Sequence, residues 1–212
     1  MNEQLVITGY CCIRDNAVEL DSEQLYRGSE HLFSEFSTGV YRHFSVNYPK
    51  FHKMDNLSRL GFLTTEILLG KKNVSGRYEG SQTGIILMNS SSSLDTDRNH
   101  QKAISDRSDY FPSPSVFVYT LPNVVIGEIC IRHKITGEGN FFVMKDFNAA
   151  FMVSYISQLF YCDIVECCLA GWTEILGNDY NSVLFLIEKR KETVEGIANF
   201  EPSVAESIFK RR

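Results

Sequence analysis

The sequence predicts an α/β fold. Two observations carry the prediction: short apolar runs alternate with longer segments whose apolar residues recur at helical spacing, and no internal repeat or long low-complexity tract interrupts that alternation. The 212 residues, 43% of them apolar and 22% charged, have ordinary globular composition and suffice for a sizeable core, in one large domain or two small ones.

Leu5-Val6-Ile7-Thr8-Gly9 is a compact apolar run closed by glycine and reads as a buried strand. Leu57, Leu60, Gly61, Thr64, Ile67 and Leu68 then recur at three- and four-residue spacing, which predicts an amphipathic helix with Asp55 as its N-cap. Thr83 to Asn89 is a second buried strand, and Ser90 to Ser93 its exit turn. That turn lacks the glycine and lysine with which a phosphate loop cradles its ligand. From Ser91 to Pro122 the chain is rich in Ser, Asp, Asn and Pro, with a turn at Phe111-Pro112-Ser113-Pro114-Ser115, and predicts a long ordered loop. Loops of that length inside a compact domain are often functional or interface-forming.

Val124 to His133 mixes strand and helix spacing and is read as a helix. Asn140-Phe141-Phe142-Val143 is a short aromatic strand and Met144-Lys145-Asp146-Phe147-Asn148 a turn. Phe151, Met152, Tyr155, Ile156, Leu159 and Phe160 then line a helix that is apolar on nearly every side. Ile164 to Gly171 and Ser182 to Glu188 supply two more buried strands, and the tail beyond them is polar and partly helical at best.

With 21 basic against 26 acidic residues the formal charge is −5, which argues against a nucleic-acid platform. The clusters Arg132-His133-Lys134, Lys189-Arg190-Lys191 and Lys210-Arg211-Arg212 are short enough to be ordinary surface charge. Six cysteines, at 11, 12, 130, 162, 167 and 168, include two adjacent pairs in apolar surroundings and read as buried thiols rather than disulfides. No Cys-x-x-Cys pair occurs and the histidines are scattered, so neither a metal site nor a cofactor is expected, and His100 and His133 read as surface residues. The N-terminus lacks a basic leader region and the run after it is too short to span a membrane. A reducing, cytoplasmic setting is the expectation.

Taken in order, these segments resemble the N-terminal half of the β-ketoacyl-acyl-carrier-protein synthases. The likeness rests on Leu5 to Gly9 as the opening strand, Phe51-His52-Lys53-Met54-Asp55-Asn56-Leu57-Ser58 as a helix start, Leu94-Asp95-Thr96-Asp97 after a strand, Ile135-Thr136-Gly137-Glu138-Gly139 as a glycine turn and Leu169-Ala170-Gly171-Trp172-Thr173-Glu174 as a strand end. Trp172 stands where that family has a glycine. The resemblance implies a thiolase-like half, a mixed sheet with helices on both faces in a single domain over residues 1–190, followed by a polar tail over 191–212.

Counting back from Ala170 puts the family's acylated cysteine near Asp146, between Lys145 and Phe147. Decarboxylative condensation needs a polarisable thiolate at a helix N-terminus to hold the acyl chain, and neither Asp146 nor its neighbours supplies one. The expected role of Asp146 is to cap the following helix. The two histidines that polarise the malonyl thioester belong to the family's C-terminal half, which matches no region here. No catalytic residue is therefore assigned.

Three functional readings follow. In the first, the chain is a non-catalytic, chain-length-factor-like subunit that acts with a ketosynthase and an acyl carrier protein in fatty-acid or polyketide biosynthesis of the aryl-polyene type. It would form a heterodimer with a full-length ketosynthase or a homodimer. The family's dimer then implies a seam at Asn140, Phe141, Phe142 and Val143, and Phe151, Met152, Tyr155, Ile156 and Leu159 would need cover from the absent half or a partner. In the second, the chain is a 3-oxoacyl-acyl-carrier-protein synthase or acyl-transfer enzyme using a cysteine elsewhere, Cys11, Cys12, Cys162, Cys167 or Cys168. In the third, it is a module that docks an acidic acyl carrier protein through Arg132, Lys134 or Lys189.

Overall fold

Residues 4–74, 76–105, 113–191, 194 and 196–211 are described by the computed structural model, and eight strands among them form one mixed sheet. They are β1 (Leu5–Arg14), β2 (Ala17–Leu20), β3 (Glu23–Arg27), β4 (Thr83–Asn89), β5 (Gly139–Val143), β6 (Cys167–Leu176), β7 (Asp179–Lys189) and β8 (Ala198–Asn199). Their order is β3-β2-β1-β7-β6-β4-β5, with β8 paired to β1. β4 runs parallel to both β5 and β6, whereas β7 is antiparallel to β6 on one side and to β1 on the other.

Because side chains alternate across a strand, the central strands serve two separate cores. Ile85 and Leu87 of β4 join Cys167, Leu169, Leu184 and Leu186 in the first, under α1 (Phe33–His43), α2 (Asn56–Lys72) and α5 (Val124–His133). Ile86 and Met88 join Cys168, Ala170, Trp172, Val183 and Phe185 in the second, under α6 (Ala149–Tyr161) and α7 (Pro202–Lys210). The same alternation explains the paired cysteines. Cys11 and Cys167 face the first core while Cys12 and Cys168 face the second, so adjacent thiols lie on opposite sides of the sheet.

α2 is buried along most of its length, as a helix packed against β1, β6, β7 and three neighbouring helices must be. Asp55 caps it as the sequence suggests, its Oδ1 accepting from the Ser58 N–H at 3.0 Å, and Asn73 ends it in the left-handed conformation. Gly171 lies in mid-strand at a φ of 154°, and a Cβ there would sit 2.1 Å from the Val183 carbonyl oxygen. No larger residue fits between β6 and β7 at that point.

Three expectations need correction. The opening strand does not stop at Gly9 but continues to Arg14 and folds back twice, through Asp15-Asn16 and Asp21-Ser22, as β2 and β3. Both turns hold two successive residues at positive φ, the geometry that two-residue hairpins require. The stretch from Ser91 to Pro122 is not one long loop, since it carries α3 (Leu94–Ser105) and the short α4 (Pro114–Val118). α3 escapes a periodicity reading because Thr96 is its single buried residue. Polar bonds hold its start instead: Thr96 Oγ1 donates to Asp55 Oδ2 at 2.7 Å, and Asp95 accepts from Asn56 Nδ2 and from the Gly177 N–H. The Phe111-Pro112 part of the expected turn lies outside the described residues. Finally, the segment read as a polar tail over 191–212 contributes β8 to the sheet and α7 to the second core.

Candidate functional site

The elbow expected to hold a nucleophile connects β5 to α6. Its first residue, Met144, donates its N–H to the Asn89 carbonyl at 2.8 Å, which ties the elbow to the end of β4. Lys145 and Asp146 then lie exposed on a bend, and Phe147 turns inward. The cap of α6 is Asn148 rather than Asp146: its backbone is extended and its Oδ1 accepts from the Phe151 N–H at 2.9 Å. A cap must directly precede the first helical residue, and Asp146 stands two positions too early. Asp146, expected near the place of the family's cysteine, is thus an exposed side chain, and no thiol occurs between residues 144 and 148.

The space beneath the elbow is filled by aromatic rings. Phe147 lies flat against Phe209 of α7, with centroids 4.2 Å apart and 19° between planes. Trp172 meets both edge-on, Phe147 at 6.4 Å and Phe209 at 6.2 Å, and Phe185 backs the group at 6.4 Å from Phe147. Such offset and edge-on arrangements are those that aromatic quadrupoles favour. Trp172, expected from the resemblance to stand in place of a glycine, is buried in this cluster. Reading from sequence missed Phe185 and Phe209 as members. The signal was Val204, Ala205, Ile208 and Phe209, spaced along one face of a helix.

That same helix changes the account of α6. Met152, Ile156 and Leu159 are buried within the chain, between the sheet and α7, so these three require no cover from another polypeptide. Phe151 and Tyr155 are half-buried and pack edge-on against Phe142 of β5, at 5.0 and 5.1 Å. β5 is the last strand of the sheet and pairs only with β4 among the described residues. Phe141 leans into the first core and Phe142 into the second, Asn140 Nδ2 donates to the Tyr155 hydroxyl at 2.8 Å, and Val143 is exposed at the strand's end.

The remaining candidates are dispersed. Burial pushes the Cys11, Cys12, Cys167 and Cys168 thiols well above their ordinary range, Cys12 to about 12, which keeps them protonated and poorly nucleophilic. Cys162 alone is exposed, and its Sγ accepts from Gln158 Nε2. His100 lies beside Phe117, at 5.6 Å between rings. His133, expected on the surface, is largely enclosed and meets Glu66 at 3.1 Å, while Arg132 grips the same carboxylate through Nε and Nη2 and lies over the Tyr48 ring. Burial alone would raise the Glu66 pKa, but the adjacent His133 and the hydrogen bonds from Arg132 outweigh it and hold the carboxyl at about 2. Of the three basic residues considered for carrier docking, Arg132 is thus committed within the fold. Lys134 is exposed, and Lys189 reaches Asp163 at 3.4 Å.

The serine turn serves Glu174, whose Oε2 accepts from the Ser90 N–H and hydroxyl at 2.5 and 2.6 Å. Among the described residues no three His, Cys, Asp or Glu side chains converge as metal ligands would, and no helix is long and apolar enough to cross a membrane.

No protein-family model matches the chain, and no curated protein does. Solved structures do. The chain is similar to the ishigamide ketosynthase/chain length factor, at 16% identity and a TM-score of 0.66 over 92% of this chain and 64% of that one. A type II polyketide synthase complex, an acyl-carrier protein with its ketosynthase bound to the hexaketide, matches at 14% identity and 0.64 over 90% and 64%. A ketosynthase in complex with its chain length factor from Xenorhabdus doucetiae matches at 13% identity and 0.55 over 89% and 80%. The chain spans 64% of the length of the first two. The fold, a mixed sheet with helices on both faces, is thus that of the thiolase-like ketosynthases.

Proposed function

We propose that the chain is a non-catalytic ketosynthase-like subunit of the chain-length-factor kind. It pairs with a ketosynthase and helps to shape the pocket for a carrier-bound chain in fatty-acid or polyketide synthesis, of which aryl-polyene pathways are an example. The observation that carries the reading is the elbow itself: on a ketosynthase-like fold, the nucleophile's turn bears Asp146, and Phe147, Trp172 and Phe209 occupy the space behind it. A ring cluster leaves no room for an acyl thioester there, whereas it keeps the scaffold rigid for an interface.

The seam of the pairing is β5, where Asn140 to Val143 present an unshared strand edge, and a ketosynthase is preferred to a second copy as the occupant because only the former supplies a nucleophile. A reducing cytoplasm suits the six unpaired thiols. Co-expression with a ketosynthase and an acyl carrier protein, followed by size-exclusion chromatography with light scattering, tests the reading. A heterodimer is expected with the wild type and none with Val143→Asp, which places a charge on the exposed end of the seam. A monomer with no affinity for either protein overturns it.

A further inference from the structure

A pocket of about 420 Å³ lies away from the elbow, between α7 and the turn joining β2 to β3. Arg211 and the hydroxyl-bearing Tyr10, Ser22, Ser203 and Ser207 line it together with the apolar Ile197, Val204 and Ile208. Tyr10 is almost wholly buried, with its hydroxyl 2.5 Å from Ser22 Oγ and accepting from Arg211 Nη1 at 3.0 Å. Arg211 Nη1 also donates to Ser22 Oγ.

The guanidinium is thereby aimed by two neutral hydroxyls. Among the described residues no carboxylate pairs with it, and the Ser203 and Ser207 hydroxyls make no hydrogen bond. Asp21 also lines the pocket, but its carboxylate is committed to Lys72 and to the Tyr10 N–H at 2.8 Å. The site therefore offers one uncompensated positive charge, free hydroxyl donors and apolar side chains. A planar guanidinium with open donors on Nε and Nη2 suits a carboxylate. A dianionic phosphate beside Asp21 would find too little positive charge.

We propose that this pocket binds a small monocarboxylate with an apolar body, the carboxylate on Arg211 with Ser22 and Ser207, the body against Ile197, Val204 and Ile208. Because its walls come from α7 and the β2-β3 turn, the ligand also clamps the helix that carries Phe209.

Isothermal titration of the full chain with octanoate tests this, with octanol and inorganic phosphate as comparison ligands. Saturable octanoate binding is expected, weakened about tenfold or more by Arg211→Gln, as loss of a charged hydrogen-bonding partner implies. Ser207→Asp, at an exposed position of α7, should weaken it similarly by repulsion. Near-UV circular dichroism should show the Phe147, Trp172 and Phe209 packing intact in both variants. Absence of saturable octanoate binding, equal affinity in the wild type and Ser207→Asp, octanol bound as tightly as octanoate, or displacement by phosphate at equal concentration would each overturn the proposal.

Discussion

Phe147, in the turn before α6, lies face to face with Phe209 from near the end of α7, 4.2 Å away in space and far off in sequence. The pair joins the elbow to the segment that closes the second core. Replacing either ring by alanine should destabilise the protein by about 2 to 3 kcal/mol, below the full range for buried phenylalanine because both rings are half-buried. The double variant should lose about 1 kcal/mol less than the sum, the coupling of an aromatic pair. Urea unfolding of the three variants measures this, and strict additivity would mean that the rings are neighbours without interaction.

Restoring the missing residue should not restore chemistry. Asp146→Cys places a thiol on an exposed bend, ahead of the cap of α6 and outside the aromatic cluster. It should alkylate readily, yet give no condensation product with a malonyl thioester when the chain is assayed alone. Radiolabelled malonyl condensation checks the second half of the statement.

The thiols should sort by burial. Cys162 should react with a disulfide reagent within the dead time of hand mixing, Cys130 more slowly, and Cys11, Cys12, Cys167 and Cys168 only on unfolding. Cys162→Ala should remove the fast phase and leave the rest. Any buried thiol that reacted early would reopen the case for a cysteine enzyme.

Glu66 gives the acid limb of stability a defined origin. Its folded pKa of about 2 lies below the ordinary 4.5, so its contribution is fully present above pH 4.5 and is lost as the pH falls towards 2. Glu66→Gln should cost about 1 to 2 kcal/mol at neutral pH, the range for hydrogen bonds to a charged group after allowance for partial solvent screening. The two proteins should converge near pH 2, as urea midpoints across the acid range would show.

What could be read in advance depended on where the information lay. β4 and the capped α2 were legible because a buried strand and a helix with a local carboxylate cap declare themselves within a few residues, at Thr83 to Asn89 and at Asp55. The β2 and β3 hairpins were not, since Asp15-Asn16 and Asp21-Ser22 lack the glycine that usually marks such turns. α3 was hidden because polar contacts with Asp55 and Gly177, distant in sequence, do the work of an apolar stripe. At the site, the empty elbow was visible in the residues themselves. Its filling was not, because Trp172, Phe185 and Phe209 converge on Phe147 only through the tertiary fold.

The position of β1 in the sheet has a consequence for the order of assembly. β1 is synthesised well before β7, yet β7 is its partner along its length, with Leu5 opposite Lys189. The hairpin of β6 and β7, closed by Gly177 and Asn178, needs only local search. Closing the β1 to β7 contact requires a loop of nearly the entire chain, and long loops are entropically slow to form. During synthesis Leu5 to Gly9 must wait with both edges unpaired, since β8 follows β7, whereas the β1-β2-β3 meander, with its own local turns, already covers one edge of Cys11 to Arg14.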